Sequence, residues 1–132
     1  MTLTPGQIAE IETTVSADRT ADAMGNRGVN VFATPFLIGL LEDAAGALLK
    51  PLIPPGGASV GTMVEMKHLA ATPLGMKIRA RATLLETDGK RFLFQVEAYD
   101  EIDKVAEGRH ERFIVPNLQK FLERAMKKGK AP

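Results

Sequence analysis

Cysteine is absent from the 132-residue chain, and neither sign of charge is in excess. The 17 Lys and Arg side chains stand against 16 Asp and Glu, for a net charge of +1. The missing thiols exclude disulfides, thiolate chemistry and cysteine-based metal sites. The charge balance argues against a nucleic-acid-binding protein, for which a strong basic excess is expected. The length fits a single domain over residues 1–132, with a hydrophobic core of its own.

Long uninterrupted apolar runs are also missing. The longest one, in VFATPFLIGLLEDAAGALL at residues 31–49, is broken by Glu42 and Asp43, so no segment is predicted to span a membrane. The N-terminal MTLTPGQIAEIETTV has neither a basic nor an apolar region, and we expect no signal peptide. A cytoplasmic protein is the expectation that follows.

The chain does contain one helical segment and several segments with two-residue alternation. Residues 34–49 predict a helix, with Thr34 as its N-cap and Pro35 at the first helical position. Residues 7–17 predict a first strand, and the Gly-, Asn- and Asp-rich residues 18–30 predict a loop. Alternation predicts four further strands, within residues 59–69, 73–88, 90–100 and 105–115. A short amphipathic helix is predicted after the last of them.

This order predicts an α+β fold, with one strand, a long apolar helix, and then four strands in a meander. A helix that is apolar on most sides needs a surface that surrounds it. A curved antiparallel sheet wrapped around one long central helix provides that surface. A parallel, doubly wound sheet is disfavoured, since the later strands are joined by short turns rather than by helices.

Glu42 is an unusual residue within the predicted helix. At 100° per residue it shares a stripe with apolar residues and with Gly39 and Gly46. Two glycines in a helix interior suggest close approach by another backbone or a ligand, because each costs roughly 1 kcal/mol relative to alanine. The carboxylate is then either at the rim, reaching water, or a buried acid or base. Asp43 lies about 100° further round and is a candidate for the solvated position.

Thr34 and His68 are the other candidates for chemistry. Thr34 has a plain role as helix cap, and His68, on the apolar face of its strand, has one as a hydrogen-bonded core residue. Together with Glu42 they form a set able to activate a hydroxyl or a water. Thr34 and Glu42 are about 12 Å apart along a regular helix, so an imidazole between them or a dimer interface would have to join them. His110 and Arg112 are structural or phosphate-binding candidates.

Three segments together resemble the hot-dog thioesterases related to fluoroacetyl-CoA thioesterase. They are GVNVFATPFLIGLLEDAA, VGTMVEMKHLAATPLG and GRHERF. The resemblance covers residues 13–121 and implies the hot-dog fold, with a short C-terminal helix. It also implies hydrolysis of an acyl-CoA thioester of small acyl chain, with no cofactor and no metal. The implied assembly is a homodimer or higher oligomer, with its active sites at the subunit interface.

The resemblance also assigns residues. The family's catalytic threonine, glutamate and histidine fall on Thr34, Glu42 and His68. Gly61 matches a glycine whose backbone lies beside the bound thioester, and Arg112, in HERF, matches an arginine of the same segment. Both are candidates for substrate binding. The fluoroacetyl-specific enzyme has aromatic residues ahead of its helix where this chain has GNRGVNV, so fluoroacetate specificity is not expected here.

Two other functions remain open from the sequence. One is another hot-dog enzyme, such as an acyl-thioester hydratase or dehydratase. The other is a non-catalytic module that binds acyl-CoA. The basic face of one predicted strand, with Lys77, Arg79 and Arg81, is either a solvated surface or a contact for CoA phosphates.

Overall fold

The computed structural model describes residues 2–130, with the side chain of Lys130 left out. In this part of the chain the α-helices and strands are β1 (Ile8–Thr14), α1 (Thr34–Leu49), β2 (Ala58–His68), β3 (Lys77–Thr87), β4 (Arg91–Asp100), β5 (Lys104–Val115) and α2 (Leu118–Met126). All of them were predicted from sequence pattern, with boundaries shifted by a few residues. The largest shift is at β3, where Leu74 and Met76 precede the strand instead of lying on its inner face.

The five strands form one antiparallel sheet in the order β1-β3-β4-β5-β2. The predicted meander of four strands is therefore wrong, since only β3, β4 and β5 follow one another. β2 lies beside β5 at the edge of the sheet, and the chain crosses from that edge back to β3. Alternation identifies strands and their buried faces, but it contains no information about which edges pair.

Helix α1 packs against the inner face of the sheet and fills its curve. Its buried residues are Leu37, Leu40, Leu41, Ala44, Ala45 and Leu49. The sheet meets them with residues that are at most 1% exposed, among them Ala80, Ala82, Ala98 and Ala106. These alanines allow the helix to approach closely, and each buried leucine contributes roughly 1.5–3 kcal/mol. This is the predicted hot-dog arrangement.

The connection between β2 and β3 crosses the beginning of α1. The Phe32 amide donates to the Thr72 carbonyl over 2.8 Å, and the Leu69 amide donates to the Val105 carbonyl over 2.7 Å. Thr72 is fully buried, and its hydroxyl donates to Asp100. The crossover therefore fixes the end of β2 against the N-terminus of α1.

The C-terminal helix α2 is amphipathic, as predicted, but its apolar side remains exposed. Asn117 caps it by accepting a hydrogen bond from the Lys120 amide over 3.0 Å. Phe121, Leu122 and Met126 are 41%, 47% and 64% exposed. Within residues 2–130, no helix has the length and apolarity needed to cross a membrane. The cytoplasmic location stays a prediction.

Gly108 on β5 provides a test of the packing between β5 and β2. A Cβ at this position would lie 1.9 Å from the Glu65 carbonyl oxygen. We expect Gly108→Ala to lower the free energy of unfolding by about 2 kcal/mol or more, measured by urea denaturation. The matched control is Gly46→Ala in α1, where nothing lies within 4 Å of the added Cβ and alanine is favoured by about 1 kcal/mol. Equal losses in the two variants would contradict this account.

Candidate functional site

Thr34 is the first residue of α1, and its side chain does not cap the helix. Ala33 has the extended backbone of the N-cap residue, with φ −73° and ψ 140°, and Pro35 takes the second helical position. The prediction that Thr34 is the N-cap is therefore wrong by one residue. The Thr34 hydroxyl lies instead 2.8 Å from Nδ1 of His68.

His68 ends β2 and faces the helix. Its strand partner is Ala106, which is fully buried on the inner face of the sheet. Thr34, His68, Leu69, Ala70 and Ala71 line an open depression at this end of the molecule. Nε2 of His68 is shielded from solvent and has no hydrogen-bond partner among residues 2–130. Burial lowers the pKa of His68 from its ordinary value of 6.5, and the Ala70 backbone opposes this effect, so the neutral imidazole is favoured.

A neutral imidazole beside a hydroxyl has two forms, which differ in the direction of the hydrogen bond. In one form the Thr34 hydroxyl donates to Nδ1, and this prepares the oxygen to lose its proton. In the other, Nδ1–H donates to Thr34, and Nε2 has a free lone pair to accept a proton. Either form makes His68 a base at the N-terminus of a helix, where free N–H groups and the helix dipole favour negative charge.

Glu42 lies two helical turns further along α1, and no hydrogen bond joins it to Thr34 or His68. It is half-buried, while Asp43 beside it is exposed, as the sequence suggested. A Cβ placed on Gly61 would lie 3.5 Å from Oε1 of Glu42. The structure thus places the five predicted site residues in two groups. Thr34 and His68 form the first. The second contains Glu42, Gly61 and Arg112.

A β-bulge in β2 directs Gly61 toward the second group. Gly61 pairs with Arg112 on β5, and Val64 pairs with His110. Arg112 and His110 are two residues apart and share the inner face, so Gly61 and Val64 share it as well, although they are three apart. Gly61 is exposed, and its missing side chain leaves the Glu42 carboxylate open to solvent on this side.

Arg112 is held in one orientation by three hydrogen bonds. Its Nε donates to the Ser59 hydroxyl over 3.1 Å, its Nη2 to the Ser59 carbonyl over 3.0 Å, and its Nη1 to Nε2 of His110 over 3.2 Å. Burial lowers the pKa of Arg112, while the charges of Glu42 and Asp43 raise it. The guanidinium is thus a fixed positive charge beside the Glu42 carboxylate.

His110 lies beside the second group, although the sequence pattern marked it only as a minor candidate. The side chain is fully buried, which removes the phosphate-binding role considered for it. Its Nδ1 lies 2.8 Å from the Met63 carbonyl oxygen, and its Cε1 lies 3.2 Å from the position of a Cβ on Gly61. The available signal was alternation along β5, which puts His110 and Arg112 on the same face as buried Ala106.

The basic face of β3 is not part of either group. Arg79 and Arg81 both contact Glu10 of β1, with Nε to Oε2 distances of 3.4 and 2.8 Å. Both arginines are more than one-third exposed, and exposed pairs of this kind contribute little to stability. The solvated reading of this face therefore fits the structure. In the described chain, no cluster of three or more His, Asp or Glu side chains has the arrangement of a metal site.

The buried imidazole of His110 predicts how stability depends on pH. Its pKa is lowered from 6.5, first by burial and also by the charge of Arg112, against opposing effects of the Met63 carbonyl and Glu42. The unfolded chain then binds more protons below about pH 6.5, and stability falls as pH drops through the folded pKa. We expect the stability advantage of the wild type over His110→Gln to shrink between about pH 7.5 and about pH 5.5. Urea denaturation at matched protein concentration measures it, and a constant or growing advantage would contradict this prediction.

Comparisons with known proteins agree with the hot-dog fold and identify the family of the chain. The family model of the fluoroacetyl-CoA-specific thioesterase FlK matches residues 15–118. A fluoroacetyl-CoA thioesterase of Streptantibioticus cattleyicolor is 38% identical over 101 residues, which are 76% of this chain and 72% of that protein.

Solved structures of thioesterases also superimpose on this chain. One structure of the fluoroacetyl-CoA thioesterase FlK superimposes with a TM-score of 0.89 and 30% identity, covering 100% of both chains. A thioesterase superfamily member from Thermus thermophilus superimposes with a TM-score of 0.88 and 29% identity, covering 98% of this chain and 97% of that one. The chain therefore belongs to the family of the fluoroacetyl-CoA-specific thioesterase FlK.

Proposed function

We propose that this protein is an acyl-CoA thioesterase, which hydrolyses a small acyl thioester to the free acid and CoA. The observation that carries the proposal is the 2.8 Å contact between the Thr34 hydroxyl and His68 at the N-terminus of α1. A hydroxyl, a base beside it and free helix N–H groups next to both are what acyl transfer requires. Membership in a thioesterase family supports the same reaction.

In the proposed mechanism, the thioester carbonyl lies against the first turn of α1. His68 takes the proton of the attacking hydroxyl, and the geometry favours Thr34 as the nucleophile. The new C–O bond forms as negative charge develops on the carbonyl oxygen. Free N–H groups of the first turn stabilise this charge, and one such donor is typically worth on the order of 10²–10³ in rate. The C–S bond then breaks, the CoA thiolate recovers the proton through His68, and water hydrolyses the acyl-threonine.

Glu42 enters this mechanism only through a second copy of the chain. Eight residues separate it from Thr34, or about 12 Å along α1. β2 lies at the edge of the sheet, with backbone groups free to pair with another strand. A two-fold axis near Glu65 would pair the β2 strands of two chains in antiparallel orientation. Because the bulge adds one residue between Gly61 and Met63, His68 would then lie opposite the partner's Gly61. The Glu42 and Arg112 beside that glycine would then complete the site, so the active unit is a homodimer.

The acyl group is small but not restricted to fluoroacetyl in this proposal. Gly25 and Gly28, in the segment where the fluoroacetyl-specific enzyme has aromatic residues, have φ angles of 98° and 85°. L side chains rarely adopt such angles, so this loop does not suit aromatic residues at these positions. We propose that acetyl-CoA and similar small acyl-CoA esters are hydrolysed without selection for fluorine.

Substitution of the three proposed catalytic residues tests the reaction and the site together. We expect Thr34→Val, His68→Gln and Glu42→Gln each to lower kcat/KM by about 10²–10⁴, because they remove the attacking hydroxyl, the base that takes its proton and the carboxylate that completes the site. Thiol release from a panel of acyl-CoA esters, acetyl- and fluoroacetyl-CoA included, measures it. The matched control is Asp43→Asn, the exposed neighbour of Glu42, which should remain close to wild type.

Several outcomes would contradict the proposal. A wild-type protein that binds acyl-CoA without releasing thiol would be a binding module, and a shifted double bond in the product would indicate a hydratase. If all three variants keep wild-type kcat/KM on an active enzyme, the assigned residues are wrong. A Thr34→Val variant that retains activity, together with an acyl adduct on Glu42 found by mass spectrometry, would make the carboxylate the nucleophile.

Mixing two inactive variants tests the shared site. If His68 and Glu42 act across the interface, a hybrid of His68→Gln and Glu42→Gln protomers contains one intact site. Statistical reassociation should then restore about one quarter of wild-type activity. Each variant unfolded and refolded alone is the control. Equal activity before and after mixing would place the whole site within one chain and contradict this arrangement.

A further inference from the structure

His110 is the only fully buried histidine among residues 2–130, and the proposed reaction does not use it directly. Its Nδ1 lies 2.8 Å from the Met63 carbonyl oxygen. A carbonyl oxygen only accepts, so Nδ1 carries the proton. In the neutral ring Nε2 is then a lone pair, which faces Nη1 of Arg112 at 3.2 Å. The proton of the imidazole is thus directed at β2 and the lone pair at Arg112.

This lone pair completes the set of acceptors that orients Arg112. The other two, the Ser59 hydroxyl and carbonyl, lie at the beginning of β2. Of five guanidinium N–H groups, three are used in this way. Nη1 lies 3.5 Å from the position of a Cβ on Gly61, as does Oε1 of Glu42. The orientation of Nη1, and with it the charge presented beside Glu42, depends on the His110 acceptor.

We infer that His110 is a positioning residue for the reaction, which holds Arg112 toward Glu42 and Gly61 through its unprotonated Nε2. The inference rests on the proposed function. It assigns a role to a side chain that touches no substrate. Protonation of Nε2, or loss of the acceptor, would turn an N–H group or an empty space toward the guanidinium, and Arg112 would lose its fixed direction.

Two substitutions separate this role from a purely structural one. The amide nitrogen of Asn reaches the position of Nδ1 and can donate to the Met63 carbonyl, but Asn offers no acceptor to Arg112. The amide oxygen of Gln reaches the position of Nε2 and can accept from Arg112, while the bond to Met63 is lost. We expect His110→Asn to lower kcat/KM by about tenfold or more and His110→Gln to stay within about threefold of wild type.

Stability should follow the opposite order, with His110→Asn at least as stable as His110→Gln, because Asn keeps the hydrogen bond to the Met63 carbonyl of β2. Thermal unfolding of both variants measures it. If activity follows stability, with Gln the more damaged variant on both scales, His110 acts only as a structural residue and the inference is overturned. Equal activity of both variants and the wild type would overturn it as well.

A double-variant cycle shows whether the effect passes through Arg112. In an Arg112→Ala background, the further change His110→Asn should leave kcat/KM unchanged, since no guanidinium remains to be oriented. An undiminished further loss would contradict the inference. The ¹⁵N shift of His110 Nε2 provides a readout without turnover. It should report an unprotonated nitrogen in the wild type and should move in Arg112→Ala. A protonated Nε2 would overturn the inference, whereas a wild type inactive on every acyl-CoA would overturn only the proposed function.

Discussion

The packing of α1 against the alanine-lined face of the sheet is the constraint on which the rest of the structure depends. Its leucines fill the curve of the sheet, and small residues such as Ala80 and Ala98 set how closely the helix approaches. A regular helix is stiff, so this contact fixes the positions of both Thr34 at its first residue and Glu42 in its middle. The positions of these two candidate site residues are therefore set by the packing of the hydrophobic core.

The same stiffness separates the two groups of the site. Thr34 and His68 meet at one end of α1, and Glu42 faces Gly61 and Arg112 about 12 Å further along. No rotation of side chains can join groups so far apart on one rigid element. The edge strand β2 can pair with a second copy of the chain without deforming the core. In the proposed dimer, one protomer would then supply Thr34 and His68 to a site, and its partner would supply the group that contains Glu42.

His110 brings a polar side chain into this core together with its hydrogen-bond partners. His110 has a carbonyl acceptor on β2 and a guanidinium donor on β5, and the ring fills the space beneath a residue that has no side chain. Buried polar groups are almost always satisfied in this way, because an unpaired one costs on the order of 1–3 kcal/mol. His68 differs, since its Nε2 has no hydrogen-bond partner among residues 2–130, and an unpaired ring nitrogen fits the proton transfer proposed for His68 better than structural support.

The sequence by itself determined the helices, the strands and most of their buried faces. Those features follow from local periodicity and from Pro and Gly at the ends of segments. Local signals predicted Thr34 as the N-cap. In the folded chain Ala33 is the N-cap, and the Thr34 hydroxyl contacts His68, 34 residues away. The position of β2 beside β5 and the contact of His110 with Met63, 47 residues apart, were also decided only by the folded chain. Pairing of strand edges and of distant polar groups depends on how the whole core closes, and no local pattern encodes it.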